Sequence, residues 1–271
     1  KAGKAPLLLS GEQTFNKNES CEYQDLEYPD DCIVDFDMRL IDLFKEIDKK
    51  KLTLKMQIRQ EYYRVKELLD GKRPSRMDLF TYMDDEIYRI CVSGSHAKEN
   101  PFQQYLDFLY ELGELSEDEQ KLYAGIGREF IQTIETTEMQ KVYKMPILYS
   151  FYNHGNIRLA VTDEEVLESW KEFFDTGTNW KDFPNVNTYE DYKKVTDKQH
   201  LSKAKRMPIR FLKASGKGFF VEKDGYALAL RDEIGDVVGN MAFGEQMGDV
   251  LGYRSLEYYR RRYKKNRSEG D

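Results

Sequence analysis

The chain has 271 residues, 34% of them charged and 13% aromatic, including 19 tyrosines. That size supports one large domain or two to three small ones, and the aromatic content excludes a disordered chain. A formal net charge of −7 argues against a uniformly basic, nucleic-acid-coating protein.

Residues 1–37 read as an irregular linker or N-terminal segment, rich in Gly, Pro, Ser and Asn at its start, with one short strand expected at Cys32–Val34. From Met38 to Lys50 the spacing of Leu40, Ile41, Phe44 and Ile47 predicts an amphipathic helix. Lys49, Lys50 and Lys51 suit the negative end of its dipole.

The clearest stretch is Leu54–Met83, LKMQIRQEYYRVKELLDGKRPSRMDLFTYM. Ile58, Tyr62, Val65 and Leu69 fall on one helix face, and Gly71 follows as a left-handed C-cap. Pro74 biases Arg73 away from helix, and Ser75 with Asp78 forms a capping box that opens a second helix through Leu79, Phe80 and Met83. Two helices around a tight turn resemble a helix-turn-helix, with Lys72, Arg73 and Arg76 as candidate phosphate contacts. The same residues fit an αα-hairpin in a helical scaffold with a solvated basic edge.

Asp84-Asp85-Glu86 reads as solvated charge opening the next helix. Asn100-Pro101 starts another, which Gly113 ends, and Ser116 with Glu119 caps one carrying Leu122, Ile126, Phe130 and Ile134. Met139–Tyr152 is expected to be helical, with a kink or break at Pro146. Ile157–Val161 is a candidate strand, and Thr162 with Glu165 caps a helix through Trp170 and Phe174.

Residues 176–200 read as a linker loop between a helical domain over 38–175 and a C-terminal helix–hairpin–helix unit over 201–271. In that unit Pro208–Lys213 should be a short helix. Asp224-Gly225 signals a type I′ hairpin with Val221 opposite Leu228, and Met241 to about Lys265 should be one long helix. The fold class is therefore mainly α, a multi-helix body with a helix-turn-helix-like hairpin and a small winged-helix-like C-terminal unit. A hairpin that merely covers the helices fits equally well.

Leu201–Asp271 holds 15 Lys+Arg against 10 Asp+Glu, a net of +5, which leaves −12 for residues 1–200. The asymmetry points to an anionic partner near the C-terminal end, or to a solvated final helix. Candidate contacts there are Lys203, Lys205, Arg206, Arg260, Arg261, Arg262, Lys264, Lys265 and Arg267, with Tyr258, Tyr259 and Tyr263 interleaved. Consecutive helical residues step ~100° around the axis, so only part of this set can share one face.

The sequence contains no G-x-x-x-x-G-K-[ST] loop, H-E-x-x-H pair or G-x-S-x-G elbow. His96, His154 and His200 lie far apart, and Cys21, Cys32 and Cys91 form no C-x-x-C pair, fitting reduced thiols better than disulfides or zinc. Neither a catalytic residue nor a metal ligand is assigned. With no apolar run of 18 residues and no signal-peptide pattern, a cytoplasmic location without a membrane partner is expected.

Several phrases together resemble one family. LEYPDDCIVDFD, EYYRVKELLDGKRPSRMDLF, YLDFLYELGELSEDEQKL, MPILYSFYN and MPIRFLKASGKGFF look like the region after the motor in bacterial superfamily II DNA/RNA helicases of the DEAD/DEAH type, which can also carry a phospholipase-D-like nuclease domain. The resemblance covers most of residues 25–265 and implies a non-catalytic C-terminal accessory module of an ATP-dependent helicase. Such a module would engage nucleic acid or regulate the motor. ATP and Mg would belong to the parent's upstream motor domains, which with DNA or RNA are the implied partners. The alternative is a helical protein-interaction or structural scaffold with no direct nucleic-acid contact.

Overall fold

The computed structural model describes residues 52–268, with side chains as far as residue 263. The expected segment over 1–37, the strand at Cys32–Val34 and the helix Met38–Lys50 lie outside the described residues. All described residues belong to a single unit, Leu52–Asp271, and it is mainly helical.

The opening hairpin forms where its caps predict it. Helix α1 (Leu54–Leu68) ends as Asp70 and Gly71 take positive φ, at 54° and 79°. Helix α2 (Arg76–Tyr82) starts from the reciprocal Ser75–Asp78 capping box. Ile58, Tyr62, Val65 and Leu79 are buried, whereas Leu69 and Phe80 are only half-buried at the margin of the same cluster. Asp84 caps α3 (Asp85–Cys91) by accepting from the Glu86 and Ile87 amides, and Cys91 is a buried free thiol.

The helix expected from Pro101 is a 3₁₀ turn (Pro101–Gln103) followed by α4 (Tyr105–Leu112), which Gly113 closes at φ 71°. Ser116 and Glu119 box the start of α5 (Glu117–Ala124). The stripe Leu122, Ile126, Phe130, Ile134 is split between two helices. Gly125 adopts an extended conformation, and α6 (Ile126–Thr136) packs back so closely that a Cβ on Gly127 would lie 2.0 Å from Leu122 Cδ1. Pro146 causes no break, because it sits in the first turn of α7 (Lys144–Tyr152), where backbone N–H groups have no intrahelical acceptor.

Strand β1 (Ala160–Val161) leads through the Thr162–Glu165 box into α8 (Asp163–Asp175). The stretch 176–200 is packed structure, not a linker. It holds α9 (Tyr189–Lys193) and the start of α10 (Asp197–Ala204), and Phe183 and Tyr192 join the main core, with His200 buried against both rings. Beyond α10 a π turn (Lys205–Ile209) absorbs Pro208, whose missing N–H would interrupt an α ladder, and α11 (Arg210–Ser215) continues.

The hairpin pairs β2 (Phe220–Val221) with β3 (Leu228–Leu230), one residue out of the expected register: Val221 faces Ala229, not Leu228. Only Gly225 has positive φ in the turn, and the Tyr226 amide donates to the Lys223 carbonyl. A type I′ turn needs positive φ at both central residues, so this one is not of that type. The sheet order is β1-β3-β2, so β3 is central and the hairpin is stitched to the helical body by β1.

After a short α12 (Gly235–Val238), Asn240 accepts from the Ala242 amide and starts α13 (Met241–Ser268). This long helix serves both hydrophobic clusters. Phe243, Met247, Val250, Leu251 and Tyr258 enter the larger one with Phe130, Phe151, Trp170 and Phe174. Tyr253 enters the smaller one, stacked on Phe102 at 4.7 Å between ring centres.

Truncating fully buried Leu79 to Ala should cost on the order of 2–5 kcal/mol, and truncating half-buried Leu69 clearly less. Urea melts of the two variants check this. Equal losses would show that Leu69 is as enclosed as Leu79.

Candidate nucleic-acid interface

The basic residues singled out in the sequence separate into three groups. Around the first turn, Lys72 is exposed, but Arg73 is bidentate to Glu119 and donates to the Glu114 carbonyl at 3.0 Å. Arg76 has no exposed surface. Its Nε donates to Glu135 Oε1 at 3.0 Å, and its Nη1 reaches Gln246 Oε1 at 2.7 Å and Asp249 Oδ2 at 2.8 Å. The Arg76 guanidinium also lies over the Tyr105 ring, 4.4 Å from its centre. Burial favours the neutral form, yet Glu135 and Asp249 overcome it and hold the guanidinium charged. Arg76 therefore cannot contact a phosphate, which corrects the expectation for this residue.

The second group lies on α13, where successive arginines diverge as the helical step requires. Arg260 pairs with Asp85 at 2.5 Å and covers the Tyr88 ring at 4.4 Å. Arg261 turns outward and pairs with Glu257 at 3.0 Å. Arg262 pairs with Asp182, a 4% exposed carboxylate that also accepts from the Tyr258 hydroxyl at 3.1 Å. The backbone at Lys264, Lys265 and Arg267 is helical, and their side chains lie outside the described residues.

The third group keeps part of its charge free. Lys205 is neutralised by Asp163 at 2.5 Å, but Lys203 and Arg206 have no carboxylate partner among the described residues. Lys203 Nζ sits over the Tyr143 ring, 5.0 Å from its centre. Burial, then Arg206 and Lys141, push its ammonium below the usual lysine value. Lys141 is exposed and unpaired among the described residues, and no pattern in the sequence marked it. Tyr143 fixes this corner, since its hydroxyl donates to the Asp182 carbonyl at 2.7 Å and its ring is near enough to feel Arg262.

The first turn and this corner thus do not make one basic surface by shared contacts. Arg73 sits with Glu114 and Glu119, while Lys203 lies over Tyr143 with Arg206 and Lys141 as its charged neighbours. Like charges held together without a counter-ion are what an anionic backbone relieves. Among the described residues no cluster of three or more His, Cys, Asp or Glu side chains could hold a metal ion, and no helix is long and apolar enough to cross a membrane.

Removing Arg76 would strand the buried Glu135 and the half-buried Asp249, so Arg76→Ala should cost about 3–5 kcal/mol in chemical denaturation. Glu119 provides a pH test. Burial raises its pKa, but Arg73, the Ser116 amide and Gln246 together hold it below its ordinary 4.5. A depressed carboxylate stabilises fully above its unfolded pKa, and that contribution is lost as pH falls through the folded one. Wild type should therefore lose more stability than Glu119→Gln between pH 6 and pH 3. Parallel losses would sink this assignment.

No protein-family model matches the chain, no curated protein matches it, and no solved structure matches it. The helicase resemblance accordingly rests on the quoted phrases alone.

Proposed function

We propose that the chain is a non-catalytic accessory module of an ATP-dependent DNA or RNA helicase, and that it makes an auxiliary contact to the nucleic-acid backbone through Lys141, Lys203 and Arg206. The observation that carries this reading is that Lys203 has Arg206 and Lys141 as its charged neighbours and that none of the three has a carboxylate partner among the described residues, whereas Arg73, Arg76, Lys205, Arg260, Arg261 and Arg262 are paired internally. A contact of three cations is a weak, guiding one, with tight binding left to the motor. ATP and Mg would act in that motor.

A second reading is a protein-interaction scaffold that touches no nucleic acid. The internal pairing of those same six cations favours it, because they are held by carboxylates of the protein and not presented to phosphates.

A salt titration with single- and double-stranded oligonucleotides separates the two. Lys141→Ala, Lys203→Ala and Arg206→Ala combined should weaken binding of all sequences alike and flatten the log–log salt slope by about 2–3. No binding by wild type at ~50 mM salt, or an unchanged slope, hands the role to the scaffold.

A further inference from the structure

On another part of the surface a cleft of about 630 Å³ opens between α7, α8 and α13. Its walls are aromatic: Tyr149 and Tyr152 from α7, Phe173 from α8 and Tyr259 from α13. Tyr149 stands 6.2 Å from Tyr152 and 6.1 Å from Phe173, ring centre to ring centre, at interplanar angles of 69° and 36°. The Tyr259 hydroxyl is enclosed and has no hydrogen-bond partner among the described residues.

The polar lining is negative. Of its three carboxylates, Glu165 is taken by Arg158 at 3.1 Å and by its own capping box. Glu168 has no cationic partner among the described residues, and Glu172 has only the exposed His154 imidazole at 3.7 Å. Four positions apart, Glu168 and Glu172 lie on one face of α8 beside Phe173. Arg158 is the sole lysine or arginine of the lining, so the cleft offers two carboxylates without a strong counter-charge.

Aromatic faces attract cations through their quadrupoles, and carboxylates at the rim complete the attraction. The volume lies within the range of pockets that enclose a ligand of several heavy atoms. An anion would meet both carboxylates and is excluded. We propose that this cleft receives a lysine or arginine side chain carried on a basic polypeptide segment of a partner protein. The carboxylates select the charge, the rings hold the alkyl stem and cationic head, and the flanking backbone of the segment lies along α8. The cleft has the opposite sign to the basic corner at Tyr143, and none of Lys141, Tyr143, Lys203 and Arg206 lines it.

The test uses the whole chain and a fluorescein-labelled decapeptide rich in Lys and Arg, read by anisotropy. A glutamine-for-basic version serves as the neutral control. Glu168→Gln with Glu172→Gln should weaken the basic peptide about five- to tenfold, the loss of two modest cation contacts. Glu117→Gln with Glu164→Gln removes the same charge from exposed sites outside the cleft and should leave affinity within about twofold. Phe173→Leu keeps an apolar wall but removes a ring, and should also weaken the peptide. Circular dichroism confirms that each variant is folded. The proposal is overturned if the basic peptide fails to bind at ~100 μM in low salt, if both double variants weaken it equally, or if argininamide alone binds as tightly as the peptide.

Discussion

The structure depends on one enclosed guanidinium. Arg76 begins α2 and reaches Glu135 on α6 and both Gln246 and Asp249 on α13, while Asp249 also accepts from the Arg76 and Met77 amides. Glu135 takes the Tyr105 amide as well, so the start of α4 is tied to the same group. Gln246 passes the network on to Glu119, and Glu119 to Arg73. A buried charge costs several kcal/mol to desolvate, and this one is offset because every partner is itself hydrogen-bonded. The network adds little net stability over a well-packed apolar core. It specifies geometry, since a shift of α13 by a turn would take both Gln246 and Asp249 away from the guanidinium.

That placement explains how one helix serves two apolar clusters. α13 runs past Arg76 with Tyr253 in the cluster of Ile58, Tyr62 and Tyr88, and with Phe243, Met247 and Leu251 in the cluster of Phe130 and Phe151. Its third side is nearly bare. Gly248 receives the Tyr152 ring, where a Cβ would lie 2.6 Å from the hydroxyl oxygen, and Gly252 faces Met77. These absent side chains leave room for the floor of the aromatic cleft. Positive charge along the helix is consumed in the same packing, by Asp85 through Arg260 and by Asp182 through Arg262.

Local chemistry was readable from the residues; tertiary pairing was not. Three capping boxes, the Gly71 and Gly113 stops and the long final helix all depend on neighbours within a few positions, and they stand where the pattern put them. The hairpin register slipped by one because the turn was judged from Asp224-Gly225, while β1, 60-odd residues upstream, pairs with β3 and sets it from the other side. Arg76 looked like a surface cation because its partners are 59 and 173 residues away. Lys141 carried no signal at all. Its significance comes from Lys203 and Arg206, more than 60 residues downstream, which the fold brings near it.

The small sheet has a consequence for how another chain can approach. Its outer strands, Ala160–Val161 and Phe220–Val221, are two residues long, and the three-residue β3 between them is wholly buried. Two residues expose too few unpaired amides and carbonyls to template a further strand. Backbone-to-backbone augmentation, a common way of capturing extended peptides, is therefore closed on this sheet. At this sheet a visiting chain must be recognised through its side chains, and the same shortness protects these strands from edge-to-edge self-association.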